Sequence, residues 1–467
     1  MESRSLQYIA DGCAGELLGG SPYATAVRIS TDSRGVAAGD LFIAIAGERF
    51  DGHSFLSEAA AKGVAAVVAE RSRLPAGFSA CPVVAVDNTR LALGRLAERY
   101  RRDFHAPVIA VGGSNGKTTT KELIAAVLRQ AGPVLSSEAS FNNDIGVPLT
   151  LLRLDRSHKA AVVEAGTNHP GELAPLMRII SPNFGVITNI GREHLEFFRD
   201  IEGVVHEEGS IAEAVPATGT LFLNGDDSWA ELLAERTYGR PLRLGLASGN
   251  DWRAGNVHFD ASGVRFYVTG PTGGWDGEYR VQLLGRHQVA NALFAIAIGA
   301  ELGLSREQIA HGLAECVPAK MRLQLWNFNG LRVLEDCYNA NADSMTAALQ
   351  TLREIPCLGR RVAVLGDMGE LGLESPHAHL EVGQQVAALG VDQLVTVVSR
   401  AKGIAEGARE GGLQNVIEIM EIEAAGRWIK GFAHSDDLVL IKASRSMKLE
   451  QVTAILRNGS EMPEGAL

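Results

Sequence analysis

Cysteine is scarce in this chain and follows no pattern. Cys13, Cys81, Cys316, Cys337 and Cys357 are scattered, and no Cys-x-x-Cys pair occurs. A disulfide framework and a zinc ribbon are therefore excluded, and a reducing, cytoplasmic setting is expected. Positive charge is also in short supply. The net charge is −11 over 467 residues, with no broad basic surface to hold nucleic acid. Long apolar runs are missing. The most apolar stretch, Ala290 to Gly303, is too short to span a bilayer and reads as a buried helix. Met1 to Gly12 carries Glu2 and Asp11 without an apolar core, so no signal peptide and no membrane insertion are expected. Internal repeats and low-complexity tracts are absent. One local absence is sharper: no lysine stands between Lys159 and Lys320.

Hydrophobic residues make up 46% of the chain, enough for sizeable cores, and its 52 glycines suit a turn-rich α/β protein. The length suggests about three domains. Residues 1–84 read as a small α/β domain, 85–318 as a central domain with a parallel sheet, and 319–467 as a second open α/β sheet. The tail from Asn458 is expected to be loose. A monomer is expected.

The stretch from Val108 to Thr120 organises the rest. Val108 to Val111 reads as a buried strand, Gly112 and Gly113 break it, and a helical spacing follows from Lys121 to Ala131. Between them lie Gly113, Ser114, Asn115, Gly116, Lys117, Thr118 and Thr119. Strand, glycine turn, Lys-Thr and helix make a phosphate cradle. Glycines let amides turn inward, and the helix N-terminus adds positive potential. Lys117 is placed to reach terminal phosphates, and the Thr118 hydroxyl to face magnesium. The loop is shorter than the strict Walker pattern, since Val111 stands where its first glycine would be.

Glu164 closes the apolar run Ala160 to Gly166. A carboxylate there is costly unless paired or metal-bound, and strand carboxyl ends are where such sheets collect ligands. It reads as a magnesium candidate or as a salt bridge at the sheet edge. His194 follows a second apolar run, Phe184 to Ile190, on the same topological side. Alone it would be structural, but Glu193, Glu196, Glu207 and Glu208 make its surroundings rich in oxygen. His287 and Asn291 fall four apart on one helical face, fit to meet an adenine edge or to cap a helix. Further polar clusters follow strand-like runs at Asp336 to Asn341, Gly366 to Glu370 and Lys442 to Met447.

The order of these motifs resembles the Mur ligase family, ATP-dependent enzymes that form amide bonds in peptidoglycan precursors. The resemblance covers almost the whole chain. It is carried by Thr31-Asp-Ser-Arg34, Arg49-Phe-Asp-Gly-His53, Gly113 to Thr119, Phe141-Asn-Asn-Asp-Ile-Gly-Val-Pro148, Glu164 and Gly285-Arg-His287 with Asn291. Tyr338-Asn-Ala-Asn341, Gly366-Asp-Met-Gly-Glu370 and Lys442-Ala-Ser-Arg445 complete it. The loop alone marks the wider family, which includes folylpolyglutamate synthases. The amino-terminal clusters, Asn142-Asn143 and Tyr338-Asn-Ala-Asn341 point to the branch joining D-alanyl-D-alanine to UDP-N-acetylmuramoyl-tripeptide. The other readings are a ligase of the family adding a different amino acid or polyglutamate, a kinase or nucleoside triphosphatase without ligation, and a non-catalytic binding module.

The resemblance implies ATP and Mg2+ as cofactors and an acyl-phosphate intermediate. It places Asn291 and Asp336 on adenine or ribose and Arg322 at the terminal phosphate. It implies that Ser33 and Arg34 hold the UDP end, that Asn142 and Asn143 meet substrate, and that Tyr338, Asn339 and Asn341 lie near the dipeptide. Thr118, Glu164, His194 and Glu208 would serve the metals. At Glu208 the chain departs from the family, in which a carbamylated lysine lies 14 residues past the metal-binding histidine, here His194. A permanent carboxylate in its place is one expectation. Loss of the second-metal site, leaving a weak or inactive protein, is another, and a solvated helix residue is the third, because adjacent Glu207 and Glu208 cannot both face inward.

Overall fold

The computed structural model describes residues 1–47, 50–328, 330–397 and 401–457. Glu48 and Arg49, which open the Arg49-Phe-Asp-Gly-His53 cluster, lie outside the described residues, as do Val398 and the tail from Asn458.

Besides a two-stranded ribbon of Arg4–Ser5 and Thr25–Ala26, three larger sheets follow one another along the chain. The first has five strands in the order Glu16–Leu18, Val83–Val86, Ala66–Glu70, Leu41–Ile43, Ile29–Ser30. All its pairings are parallel except the first. The third has six, in the order Gln324–Phe328, Leu331–Asp336, Leu438–Lys442, Arg361–Leu365, Gln393–Val397, Val416–Ile419. It too is parallel apart from the first pair.

The central sheet has nine strands. Val108–Gly112 runs between Phe184–Ile187 and Ala160–Glu164, parallel to both. Beyond Phe184–Ile187 come Thr220–Asn224, Arg240–Gly245 and Trp252–Asp260, still parallel. Gly263–Thr269 and Gly277–Val281 then add an antiparallel edge, with Val264 opposite Val281. Alternation of buried and exposed residues, with Val264, Phe266, Val268, Tyr279 and Val281 inward, suits such an edge, which can be joined by short turns, whereas the parallel strands need helical crossovers.

Strand period places the core. Val108 and Ala110 face one apolar layer with Leu93, Leu96, Leu151 and Leu173. Ile109 and Val111 face the other, with Leu123, Ile124, Leu293 and Phe294. The helices Lys117–Leu128 and Gln288–Glu301 share that second layer. Burying one such Leu or Phe contributes about 1.5–3 kcal/mol, so the strand feeding the loop is anchored on both faces. No helix among the described residues is long and apolar enough to cross a membrane.

Candidate active site

A cleft of about 1620 Å³ opens at the carboxyl end of the central sheet, lined by the loop after Val108–Gly112 and by the third sheet's strand ends. The loop turns on two glycines. Gly113 adopts φ +103°, and a Cβ there would lie 2.4 Å from Thr188 Oγ1. Gly116 adopts φ +83°, and its Cβ would meet Asn291 Oδ1 at 2.7 Å. Only glycine combines that backbone with such close approach.

The loop is held from behind. Gly113 N–H donates to Glu208 Oε2 at 2.7 Å. Ser114 N–H donates to the Asn189 carbonyl at 2.8 Å and Asn115 N–H to Asn189 Oδ1 at 3.0 Å. The expected inward donors Gly113, Ser114 and Asn115 therefore spend their amides on the protein, because strand and loop are packed against Thr188, Asn189 and Glu208. The helix Lys117–Leu128 begins with no side-chain cap at Gly116. Its first-turn amides, at Lys117 to Thr119, are the ones helix geometry leaves for an anion.

Lys117 Nζ donates to Gly113 O at 2.5 Å and Ser114 O at 3.1 Å, and pairs with Glu193 Oε2 at 3.3 Å. Burial works against its charge, but Glu193, Glu208 and Glu164 outweigh it and hold the ammonium above its ordinary pKa. Lys117 is thus a cation aimed at the loop's own oxygens, where phosphate oxygens would compete for it.

Glu164 is 1% exposed. Its Oε1 accepts from Asn142 Nδ2 at 3.1 Å. Its Oε2 has no hydrogen bond and lies 4.0 Å from Lys121 Nζ. Lys121, fully buried, donates to the carbonyls of Ser137 and Ala139 at 2.7 and 3.0 Å. An orphaned carboxylate oxygen beside the buried Thr118 hydroxyl's loop is the donor set magnesium takes, since that ion needs one or two protein oxygens plus phosphate and water. His194 and Glu208 make other contacts in this structure. Among the described residues no three of His, Cys, Asp and Glu gather into a metal-binding group. His194 Nδ1 instead lies 2.5 Å from Glu370 Oε2, off the line of a good hydrogen bond. Glu208 turns to Gly113.

Glu207 and Glu208 are both buried, at 4% and 1% exposure, against the expectation that only one could be. The helix Ile201–Ala214 is covered on two sides. Glu207 accepts from the amides of Gly171 and Leu173 at 2.7 Å each, next to the start of the helix Leu173–Ile180. Glu208 points into the loop. Burial pushes its carboxyl up to about 8, against the pull of Lys117 and with the push of Glu193.

From the third sheet's side, Arg322 Nη2 donates to Thr118 Oγ1 at 2.9 Å, with its guanidinium 4.2 Å above the Tyr338 ring. Tyr338 also hydrogen-bonds Ser140 through its hydroxyl. Asn341 Nδ2 donates to Asn115 Oδ1 at 3.0 Å, while its own Oδ1 caps the helix Ala342–Glu354. Arg192 crosses in the other direction, to Asp343 at 3.0 Å and Glu381 at 2.6 Å.

Family comparison agrees with this geometry. Residues 26–101 match the Mur ligase family, catalytic domain; 111–299 match the Mur ligase middle domain; 321–445 match the Mur ligase, glutamate ligase domain. This chain belongs to the Mur ligase family. It is 37% identical, over 98% of its length and 100% of the other, to the Escherichia coli UDP-N-acetylmuramoyl-tripeptide--D-alanyl-D-alanine ligase. It is 36% identical to the Bacillus subtilis protein of that name, over 97% and 98% of the two chains. In structure it is similar to MurF from Acinetobacter baumannii, with a TM-score of 0.90 at 30% identity, covering 98% of this chain and 99% of that one. It is also similar to MurF ligase from Thermotoga maritima in complex with ADP, with a TM-score of 0.82 at 25% identity, covering 92% and 97%.

The cleft of this Mur ligase brings together most residues expected to act: Ser114 to Thr119, Asn142, Asn143, Glu164, His194, His287, Asn291, Arg322, Asp336, Tyr338, Asn339 and Asn341. Several already have partners. Asn143 caps the turn into Gly146–Leu151. Asn291 Nδ2 donates to Gln288 Oε1 at 2.8 Å, and Asn291 Oδ1 accepts from Thr120 Oγ1 at 3.2 Å. Asp336 accepts from Lys442 Nζ at 2.6 Å, and Lys442 also holds Asn339 O. Ser33 and Arg34 lie outside the cleft lining. Ser33 is buried in a short 3-10 turn whose carbonyl accepts from Lys62 Nζ, and Arg34 is exposed and pairs with Asp32.

Sequence reasoning passed over Lys121, Asn189 and Arg192 as site residues, and named Glu370 and Lys442 only within polar clusters after strand-like runs. Lys442 carried the same signal as Glu164, a charge closing an apolar strand, now seen as Leu438–Lys442. Asn189 and Arg192 flanked His194 but matched no ligand pattern. His194, Met321, Leu323 and Glu370 all have positive φ and gather at the seam between the two domains. Such backbone costs about 1–3 kcal/mol per residue and clusters where function requires it.

Proposed function

We propose that this ligase joins D-alanyl-D-alanine to UDP-N-acetylmuramoyl-tripeptide at the expense of ATP, in the cytoplasm, where five free cysteines are at home. The observation that carries the reading is the loop Gly113 to Thr118 facing Arg322 across a cleft that also holds Tyr338, Asn339 and Asn341.

The chemistry follows from the cleft. A bare carboxylate resists attack by an amine, because oxide is a poor leaving group. Transfer of the ATP γ-phosphoryl group to a carboxylate oxygen of the tripeptide makes an acyl phosphate and releases ADP. The dipeptide amine then attacks the acyl carbon, the C–O bond to phosphate breaks, and phosphate and a proton leave. Phosphoryl transfer needs charge neutralisation and alignment more than covalent help. Lys117 and the amides at the mouth of Lys117–Leu128 neutralise the phosphates, and Arg322 approaches them from the opposite wall. Thr118 and Glu164 are the residues that would hold magnesium, which when bound supplies further neutralisation of phosphate charge. Asn291 and Asp336 border the adenosine end, and Tyr338, Asn339 and Asn341 the acceptor end. Arg192 and Arg322 tie the third domain to the central one beside the cleft.

The test is phosphate release from ATP with UDP-N-acetylmuramoyl-tripeptide, with and without D-alanyl-D-alanine. Release that depends on both supports the reading. Hydrolysis indifferent to the dipeptide rejects it.

A further inference from the structure

His379 is 1% exposed, one turn into the helix Ser375–Ala388 of the third domain. Both ring nitrogens are engaged. Met368 N–H donates to Nε2 at 3.1 Å, and Nδ1–H donates to the Ser375 carbonyl at 2.6 Å. An amide nitrogen only donates and a carbonyl only accepts, so the hydrogen sits on Nδ1 and the lone pair on Nε2. The ring is confined. A Cβ on Gly403, in the helix Lys402–Glu410, would come within 2.9 Å of His379 Cβ.

The Met368 amide belongs to the cluster Gly366 to Glu370, which follows the strand Arg361–Leu365. The end of Leu438–Lys442 holds one side of this loop. Gly366 N–H donates to the Lys442 carbonyl at 3.0 Å, Ser444 N–H to the Asp367 carbonyl at 3.0 Å, and Gly369 N–H to Ser444 Oγ at 2.7 Å. His379 holds the other side. The loop then carries Glu370, at φ +61°, to the central domain. The Glu370 carbonyl accepts from Glu196 N–H at 3.1 Å, and its carboxylate lies 2.5 Å from His194 Nδ1. Next to His194 stands Glu193, the partner of Lys117. The same helix grips this segment again two residues past His379, where Glu381 pairs with Arg192 at 2.6 Å.

We propose that His379 is a positioning residue of the ligation site: its Nε2 fixes the Met368 amide, and with it the Glu370 that the third domain sets against His194 and Glu196. His379 is not part of the cleft lining, whereas Gly369, Glu370 and Leu371 are, so it acts through them. Met368 is itself 1% exposed, and without the ring its amide is a buried donor left unpaired.

The inference rests on the cleft being the ligation site, but one readout does not need turnover. Two variants separate the ring nitrogens. H379N places its amide where Nδ1 stands and loses the acceptor for Met368. H379Q reaches as far as Nε2 and supplies one. Amide hydrogen exchange is followed over residues 366–371 and 194–198. Both segments should exchange about tenfold faster in H379N, the scale of one orphaned buried donor, and return to wild-type rates in H379Q. The kcat of dipeptide-dependent phosphate release should fall about tenfold in H379N and stay near wild type in H379Q. E370A, at a half-exposed side chain, removes the contact with His194 without touching the core. It should lower kcat by a similar factor, and adding H379N to it should lower kcat no further. H379Q as impaired as H379N would overturn the proposal, because the ring would then matter only by its bulk. Wild-type exchange in H379N would overturn it too, as would losses that multiply in the double variant. If wild type releases no phosphate with the dipeptide while the exchange pattern holds, the ligase reading fails and the hold on Glu370 stands.

Discussion

Arg322 donates to the hydroxyl of Thr118 at 2.9 Å, and so joins the third domain to the first turn of the phosphate-loop helix. Arg192 fastens the same seam from the other side, with Asp343 and Glu381.

Arg192→Ala should loosen it. Paired exposed charges are worth little singly, but this guanidinium makes bonds to two carboxylates and is itself only partly exposed. Small-angle scattering should show a larger radius of gyration for the variant without ligands. Its kcat should fall by about tenfold, the cost of an assembled site held less of the time. An unchanged radius would mean that other contacts close the cleft.

Lys117→Ala should abolish ligation and leave the fold intact. Lys117 caps no core. Its contacts are loop carbonyls and Glu193. Removing a preorganised charge stabiliser of this kind costs about 10²–10³ in kcat. The melting temperature should stay within a few degrees of wild type. Substantial ligation by the folded variant would remove Lys117 from the mechanism.

Much of this site was legible because its signals are local. Val108–Gly112 announced itself by four apolar residues ending in glycines, and the loop by Gly-Lys-Thr before a helical spacing. Glu164 stood out as a charge ending an apolar strand. What was not legible depends on which neighbours the fold supplies. Glu208 lies 95 residues from Gly113, and no local pattern says that its carboxyl ends beneath that amide. Likewise, the burial of Glu207 and Glu208 together requires knowing that their helix is covered on two sides. No local pattern places Arg192 opposite Asp343 and Glu381. The antiparallel edge of the central sheet was read from alternation, but its attachment to the parallel strands was not, because Trp252–Asp260 pairs in both senses.

Glu208 makes stability depend on pH in a defined direction. Its carboxyl titrates at about 8 in the folded protein against an ordinary 4.5, so the folded state binds the proton more tightly. The contribution is fully present below 4.5 and is lost as pH rises through 8. Glu208→Gln removes this dependence. The melting temperature of the variant relative to wild type should therefore climb between those pH values and level off above them. A difference that stays constant across that window would place the carboxyl's titration elsewhere.

The absence of a lysine at position 208, and anywhere from 160 to 319, bears on carbon dioxide. A carbamate needs a lysine amine, and no near register supplies one. Ligation should proceed equally well in buffers stripped of bicarbonate and in buffers supplemented with it, within about twofold. Activity that collapses on degassing would mean that another group is carbamylated.

The most direct measurement remains phosphate release from ATP in the presence of UDP-N-acetylmuramoyl-tripeptide, titrated with D-alanyl-D-alanine. The account expects little release without the dipeptide, and saturable release with one phosphate per amide bond once it is added. Release that ignores the dipeptide, or an amide bond formed with a different addend in preference to it, would contradict the account.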